Sequence, residues 1–255
     1  MKKNIHKFLL YFLKIKRYFD LRSDLRVFKR QKKEANDTDF IFGSLRPHLS
    51  DKHKSSGTAK GQYFHQDLLT ARRVFENNPE THIDVGSRID GFVAHVASFR
   101  EVKVIDIRPP ENTIKNIAFI QLDFMGKIPE NMLECCDSLS SLHAMEHFGL
   151  GRYGDTISFN GHLTGMNNLY RMLKKGGRLY FSVPMGEPQR IHFHAHRIFS
   201  LKYLLRHFQG KYNIKKFSYV NDKGDLFEDA VLTEENIDKS FGCKYGCGIF
   251  ELEKT

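Results

Sequence analysis

Apolar and polar positions along this chain follow two alternating periods, and from Tyr63 onward one period repeatedly gives way to the other. Short apolar runs bounded by glycine or charge predict strands at HIDVG (82–86), VKVIDI (102–107), IAFIQLDF (117–124) and CDSLSSLH (136–143). RLYFSVP (178–184), YNIKKFSYV (212–220) and GIFELEK (248–254) read the same way. Between them, helical spacing appears in QDLLTARRVFEN (66–77), GFVAHVASF (91–99), GHLTGMNNLYRMLKKGG (161–177) and SLKYLLRHF (200–208). In the third of these, Leu163, Met166, Tyr170 and Leu173 share a face, and two lysines followed by two glycines suit a helix end. Strand–helix alternation of this kind predicts an α/β fold: a Rossmann-like, doubly wound, mostly parallel seven-stranded sheet with an antiparallel last strand.

The first 33 residues differ. Ile5, Phe8, Leu9, Phe12, Ile15 and Phe19 recur at helical spacing among lysines and arginines, which predicts a basic amphipathic helix. It could dock on an anionic membrane surface or pack against protein. A polar stretch follows, with HLSDKHKSSGTAKG as a loop or lid. The expected division is a basic extension over 1–40 and one domain over 41–255.

Charge changes the picture only at this end. The 255 residues carry a formal +10, but without residues 1–33 the body is close to neutral, so the basic balance says little about its ligand. The longest early apolar run, FLLYFL, is far short of the ~20 residues of a membrane-spanning helix, and no small-residue cleavage site follows. A cytoplasmic protein is expected, with peripheral contact at the inner membrane through the basic helix. Cys135–Cys136 and Cys243–Cys247 lack metal-knuckle spacing and read as reduced thiols.

In doubly wound sheets ligands sit beyond the carboxyl ends of the strands. After the first strand stand Asp84, Gly86, Ser87 and Gly91; after the second, Asp106 and Ile107; after the third, Asp123 and Phe124. Arg88 occupies the place of the middle glycine of a dinucleotide turn. Three acids in one crevice suit a nucleoside better than a pyrophosphate. S-adenosylmethionine is such a cofactor, and its sulfonium favours an acidic site. The fourth strand end offers His143, Glu146 and His147, followed by Arg152, Tyr153 and Asp155. The fifth offers His192, His194 and His196, which on an extended segment point one way and could hold a metal, or form an ordinary polar loop.

DVG…G, IDIRP, QLDF, LHAMEH, LKKGGRLYFSVP and HAHRIFS occur in the order found in class I S-adenosylmethionine-dependent methyltransferases. YFHQD, HIDVGSRIDGFVAHV, SLHAMEHFGLGRYGD and YGCGIFELEK further resemble a bacterial family labelled a domain of unknown function and found among surface-polysaccharide genes. The resemblance runs from about Tyr63 to the C-terminus. It implies that Asp84, Gly86, Ser87 and Gly91 face the methionyl and ribose parts of the cofactor. Asp106 with Ile107 would take the ribose, Asp123 with Phe124 the adenine, and His143 the methionyl end. Arg88 and Asp90 depart from the family's second and third glycines.

The expected activity is methylation of a sugar hydroxyl or phosphate-bearing intermediate of capsule or lipopolysaccharide synthesis. His147 is the expected base with Glu146 orienting its ring, and His143 is the second candidate. Arg152, Tyr153, Asp155, His194, His196 and Arg197 would contact a small-molecule substrate. HAMEH is also similar to the magnesium-binding E-x-x-E-H of ubiquinone-pathway O-methyltransferases. A divalent ion on Glu146, His147 and His196 is therefore an alternative, though not the favoured one. The main domain lacks a basic stripe interleaved with aromatics, so no DNA partner is expected and RNA 2′-O-methylation ranks below sugar. A catalytically degenerate scaffold in a glycan-assembly complex is the other class, and a dehydrogenase ranks third.

Overall fold

The computed structural model describes the backbone of Lys2–Thr255 and the side chains of residues 15–255 apart from His53. It divides into two units, Met1–Thr58 and Ala59–Thr255.

In the first unit α1 (Lys2–Glu34) is one continuous helix, followed by mostly irregular chain. Ile15, Tyr18, Phe19, Val27 and Phe28 are exposed; the side chains of Ile5, Phe8, Leu9 and Phe12 lie outside the described residues. The expected apolar stripe does not run the whole helix. The 3-4 spacing that leads to Ile15 and Phe19 continues as Arg22, Arg26, Lys29 and Lys33, so that face becomes cationic in its second half. Among the described residues no helix is long and apolar enough to cross a membrane.

The second unit is built on one sheet. Its strands are β1 (His82–Val85), β2 (Val102–Asp106), β3 (Ile117–Gln121), β4 (Cys136–Leu142), β5 (Leu173–Met185), β8 (Tyr212–Val220), β9 (Leu226–Phe227) and β10 (Gly246–Lys254). The spatial order is β3-β2-β1-β4-β5-β10-β8-β9. The first five are parallel, and β10 runs antiparallel to both β5 and β8. This is the doubly wound, mostly parallel sheet that the alternation predicts and the Rossmann-like arrangement that the resemblance implies, with the two-residue β9 as an eighth strand on the edge. Chain order reverses between β1 and β4, which places the ligand crevice over their tips.

Period-two burial splits the core between the faces. Val102 and Val104 join Val74 of α2 (Gln62–Asn77) and Val96 of α3 (Ala94–Ala97) on one side. Ile83, Val85 and Ile105 join Leu169 of α4 (Gly161–Met172) and Leu204 of α5 (Leu201–Phe208) on the other. Ser200 caps α5 by accepting from the Tyr203 N–H. A last short helix, α6 (Glu234–Asp238), precedes β10.

Three elements differ from expectation. The helix expected over 91–99 is a π-turn over Ile89–Val93, with Gly91 outside helical geometry, that leads into the four residues of α3. α4 stops at Met172, before the lysines, because the main-chain N–H groups of Glu134 and Cys135 take the carbonyls of Arg171 and Met172 (2.9 Å each). Leu173 is then already extended and pairs with Cys136. The histidine segment is no single extended strand. It is a hairpin of β6 (Arg190–His192) and β7 (His196–Ile198), with His192 opposite His196 and His194 in the turn at φ +62°.

Candidate functional site

The tips of β1, β2, β4 and the chain after β3 enclose a cavity of about 580 Å³. Gly86 lets it form. Its φ is +73°, its N–H donates to the Ile105 carbonyl, and a Cβ there would lie 3.0 Å from the Ala144 Cβ. Ser87, Asp106, Ile107, Asp123, Phe124 and His143 all line this cavity, as the sequence suggests.

Asp84 does not line it: of the three expected strand-tip acids only Asp106 and Asp123 do, and the other acids in its wall are Asp90 and Asp155. The Asp84 carboxylate is fully buried and accepts from the Ser87 N–H (3.0 Å), the Ser87 hydroxyl (2.6 Å) and the Ser140 hydroxyl (2.5 Å). It shapes the glycine turn from behind. Burial raises its pKa to about 6, against the pull of these hydrogen bonds. Behind it, His82 meets the Ser138 hydroxyl through Nδ1 (2.8 Å) and the Ser140 hydroxyl through Nε2 (3.2 Å). Ser140 gives its proton to Asp84, so His82 carries its own on Nε2. Gly91 also lies off the cavity, packed so closely on Asp67 that a Cβ would fall 2.3 Å from that carboxylate. Arg88 turns to the rim, pairing with Asp90 (2.7 Å) and resting over the Tyr63 ring.

Asp106 holds the Arg108 N–H (2.8 Å) and the Arg108 guanidinium (3.2 Å). Asp123 accepts from the Met125 N–H at 2.9 Å. Phe124 is buried and meets Phe148 edge-on.

A second hollow of about 500 Å³ adjoins the first, and Tyr63, His143, His147 and Arg152 line both. Its other walls include Gln62, Glu146, His194, His196 and Tyr245. His147 donates its Nδ1 proton to the Ala195 carbonyl (2.6 Å), which leaves a lone pair on Nε2. Glu146 is therefore not what orients this ring. Glu146 Oε1 takes the His143 Nδ1 proton at 2.8 Å and stays 3.7 Å from His147 Nε2, while Oε2 is buried with no partner among the described residues. Burial alone would lower the His143 pKa, but Cys247 and Glu146 outweigh it and raise the group to about 10. His143 sits at φ +50°, a main-chain conformation that sets its ring between the two hollows. Burial holds His196 below its ordinary range.

The remaining expected contacts separate. Arg152 lies in the shared wall and donates to the Ala195 carbonyl (3.3 Å). Tyr153 lines the first cavity and meets the His147 ring edge-on. Asp155 reaches the same cavity, but its carboxylate ties the N–H groups of Gly149, Gly151 and Tyr153 and so holds the loop. Arg197 is buried away from both hollows, its guanidinium spent on the carbonyls of Phe148 (2.6 Å) and Phe159 (3.1 Å). Among the described residues no three His, Cys, Asp or Glu side chains gather as a metal-binding set. Sequence reasoning assigned no role to Tyr63, Gln62, Tyr245 or Arg108. Tyr63 and Tyr245 stand inside YFHQD and YGCG, and Arg108 inside IDIRP, segments that carried only the resemblance.

Comparison with known proteins adds a family and a fold. Residues 98–241 match the family described as Caenorhabditis protein of unknown function, DUF268. That description names neither the bacterial nor the surface-polysaccharide setting that the sequence suggests. No curated protein matches the sequence. The N-methyltransferase NodS from Bradyrhizobium japonicum, solved with S-adenosyl-l-homocysteine, superposes with a TM-score of 0.50 at 10% identity, over 76% of this chain and 88% of that one. The 1,6-didemethyltoxoflavin-N1-methyltransferase of Burkholderia thailandensis, solved with bound 1,6-didemethyltoxoflavin and S-adenosylhomocysteine, gives 0.52 at 13% identity, over 74% and 78%. The likeness is one of fold.

Proposed function

We propose that this chain, which belongs to the family described as Caenorhabditis protein of unknown function, DUF268, is an S-adenosylmethionine-dependent methyltransferase. The acceptor we infer is a sugar or phosphate-bearing intermediate of surface-polysaccharide synthesis. One observation carries the reading: two hollows, one nucleoside-sized and one polar, meet at a wall of Tyr63, His143, His147 and Arg152.

The first hollow fits the cofactor on its own chemistry. Gly86 presents bare backbone, Asp106 offers a carboxylate to two ribose hydroxyls, and Phe124 gives an apolar wall to a base. Asp123 stands beside it with Oδ2 outside its bond to Met125. Bound there, the cofactor supplies an activated methyl group. The chain's own part is placement and proton removal. Ala195 fixes the His147 tautomer so that Nε2 faces the junction as a base. Arg152, His194 and His196 give the second hollow the donors a phosphate or a hydroxylated ring needs.

Residues 1–33 we read as peripheral contact with an anionic membrane on the cytoplasmic side. α1 holds twelve lysines and arginines against three acids, nearly all of the chain's excess charge.

Isothermal titration of the full chain with S-adenosylhomocysteine tests the core of the reading. Saturable one-to-one binding is the expected result. A folded sample that binds none removes it.

A further inference from the structure

Three arginines line the first cavity, and two of them are already matched by acids. Arg88 pairs with Asp90 (2.7 Å) and Arg108 with Asp106 (3.2 Å). Arg152, which also lines the second hollow, meets no carboxylate among the described residues. Its bond from Nη1 to the Ala195 carbonyl is long at 3.3 Å, and its Nε–Nη2 edge has no protein partner among the described residues. That edge is a fork that can grip an oxyanion through two parallel bonds. The hydroxyls of Tyr63 and Tyr245 and the imidazoles of His194 and His196 stand in the walls of the same hollow, and none of these four side chains makes a hydrogen bond among the described residues. Both phenols keep their protons, because burial raises Tyr63 to about 12 and Tyr245 above its ordinary range.

The one acid in these walls is compensated. Glu146 Oε1 takes the His143 Nδ1 proton at 2.8 Å, and Oε2 is buried. Against burial, Cys247 and Glu146 raise His143 to about 10, so the histidine is charged and the pair has no net charge. Arg152 is then the uncompensated charge of the second hollow. A carboxylate would fill its fork and leave the phenols and imidazoles unmatched, whereas a phosphate has further oxygens to offer them. We propose, resting on the methyltransferase reading above, that the second hollow is a phosphate subsite and that the acceptor is a sugar phosphate. Arg152 grips the phosphate through Nε and Nη2, and Tyr63, Tyr245, His194 and His196 supply the surrounding donors. Arg152 Nη1 lies only 3.5 Å from His147 Nδ1. The phosphate therefore belongs to the same sugar residue as the hydroxyl that reacts at His147.

The test uses the full chain saturated with S-adenosylhomocysteine, which keeps anions out of the first cavity. Glucose, glucose 1-phosphate, glucose 6-phosphate, glucuronate and inorganic phosphate are titrated by calorimetry. At least one sugar phosphate should bind about ten-fold or more tightly than glucose and glucuronate, and inorganic phosphate should compete with it. Arg152→Gln should erase that preference, and Arg152→Lys, with the charge but no fork, should keep part of it. Tyr245→Phe should weaken the sugar phosphate at least about three-fold. Affinity for S-adenosylhomocysteine should stay within about three-fold of the parent in all three variants. Glucose or glucuronate binding as tightly as the sugar phosphates, no binding of any phosphate probe, or an undiminished preference in Arg152→Gln overturns the proposal. So does an Arg152→Gln variant that loses S-adenosylhomocysteine instead, which would place the guanidinium on the cofactor's carboxylate. Failure of the parent to bind S-adenosylhomocysteine counts against the methyltransferase reading rather than the phosphate subsite.

Discussion

The guanidinium carbon of Arg108 sits over the ring of Tyr153, 4.0 Å from its centroid. The same guanidinium reaches the carboxylate of Asp106, and Tyr153 meets His147 edge-on. A chain of contacts thus runs from the tip of β2 to the junction of the two hollows, along the rim of the first.

This makes Asp106 the place to test cofactor recognition. A charged acceptor matched to two ribose hydroxyls is worth more than a neutral amide. Asp106→Asn should weaken S-adenosylhomocysteine binding about ten-fold or more by calorimetry, with little change in melting temperature because the side chain sits at the cavity edge. Unchanged affinity would place the ribose elsewhere.

His147 should behave differently. Its Nε2 faces the junction and takes no part in fixing the glycine turn. His147→Ala should lower turnover by about a hundred-fold or more, while the affinity for S-adenosylhomocysteine stays within about three-fold. A parallel loss of both would mean that the ring supports the fold rather than the reaction.

Much of the frame was legible because it depends on local periods. Val102, Val104 and Ile105 announce a buried strand by alternation alone, and the order of strands and helices implies the doubly wound sheet. What escaped depends on partners far away in sequence. Asp84 turns inward because Ser140, 56 positions on, waits behind it. Glu146 turns to His143, and Ala195, from the hairpin, takes His147. The hairpin itself was hidden, since HFHAH has none of the glycine or asparagine that usually marks a tight turn, and His194 takes the left-handed position instead.

Gly86 tests the turn directly. With φ at +73° and no room toward Ala144, Gly86→Ala forces either a strained backbone or a shifted β4 tip. A destabilisation of about 1–2 kcal/mol is expected from the backbone alone, together with weaker cofactor binding. A variant as stable and as tightly binding as the parent would show the turn to be tolerant.

The buried His82–Ser140–Asp84 relay predicts a pH response. Burial depresses His82 to about 3, below its usual 6.5. Its contribution to stability is therefore present above pH 6.5 and lost as pH falls toward 3. Asp84 has the opposite sign: raised to about 6, it favours the fold at low pH and loses that contribution as pH rises through about 6. Comparing denaturation of the parent and His82→Gln between pH 7 and 4 isolates the histidine. The parent should lose stability faster on acidification, by up to about one proton's worth of slope. Parallel curves would mean that His82 is protonated as readily folded as unfolded.

The first unit yields the last prediction. Its stripe of Arg22, Arg26, Lys29 and Lys33 lies on a helix that also exposes Ile15, Tyr18, Phe19 and Phe28. Cations near an anionic lipid surface contribute about 1 kcal/mol each and are screened by salt, whereas exposed aromatic and aliphatic groups favour the lipid boundary over a nucleic acid backbone. The full chain should float with vesicles containing phosphatidylglycerol, not with pure phosphatidylcholine, and half-molar salt should release it. Changing all four stripe residues to glutamate should reduce flotation at least about ten-fold and leave S-adenosylhomocysteine binding unchanged. Equal flotation on neutral vesicles, or an unaffected quadruple variant, would reject an electrostatic membrane contact. Release by added RNA at matched ionic strength would identify nucleic acid as the stronger partner.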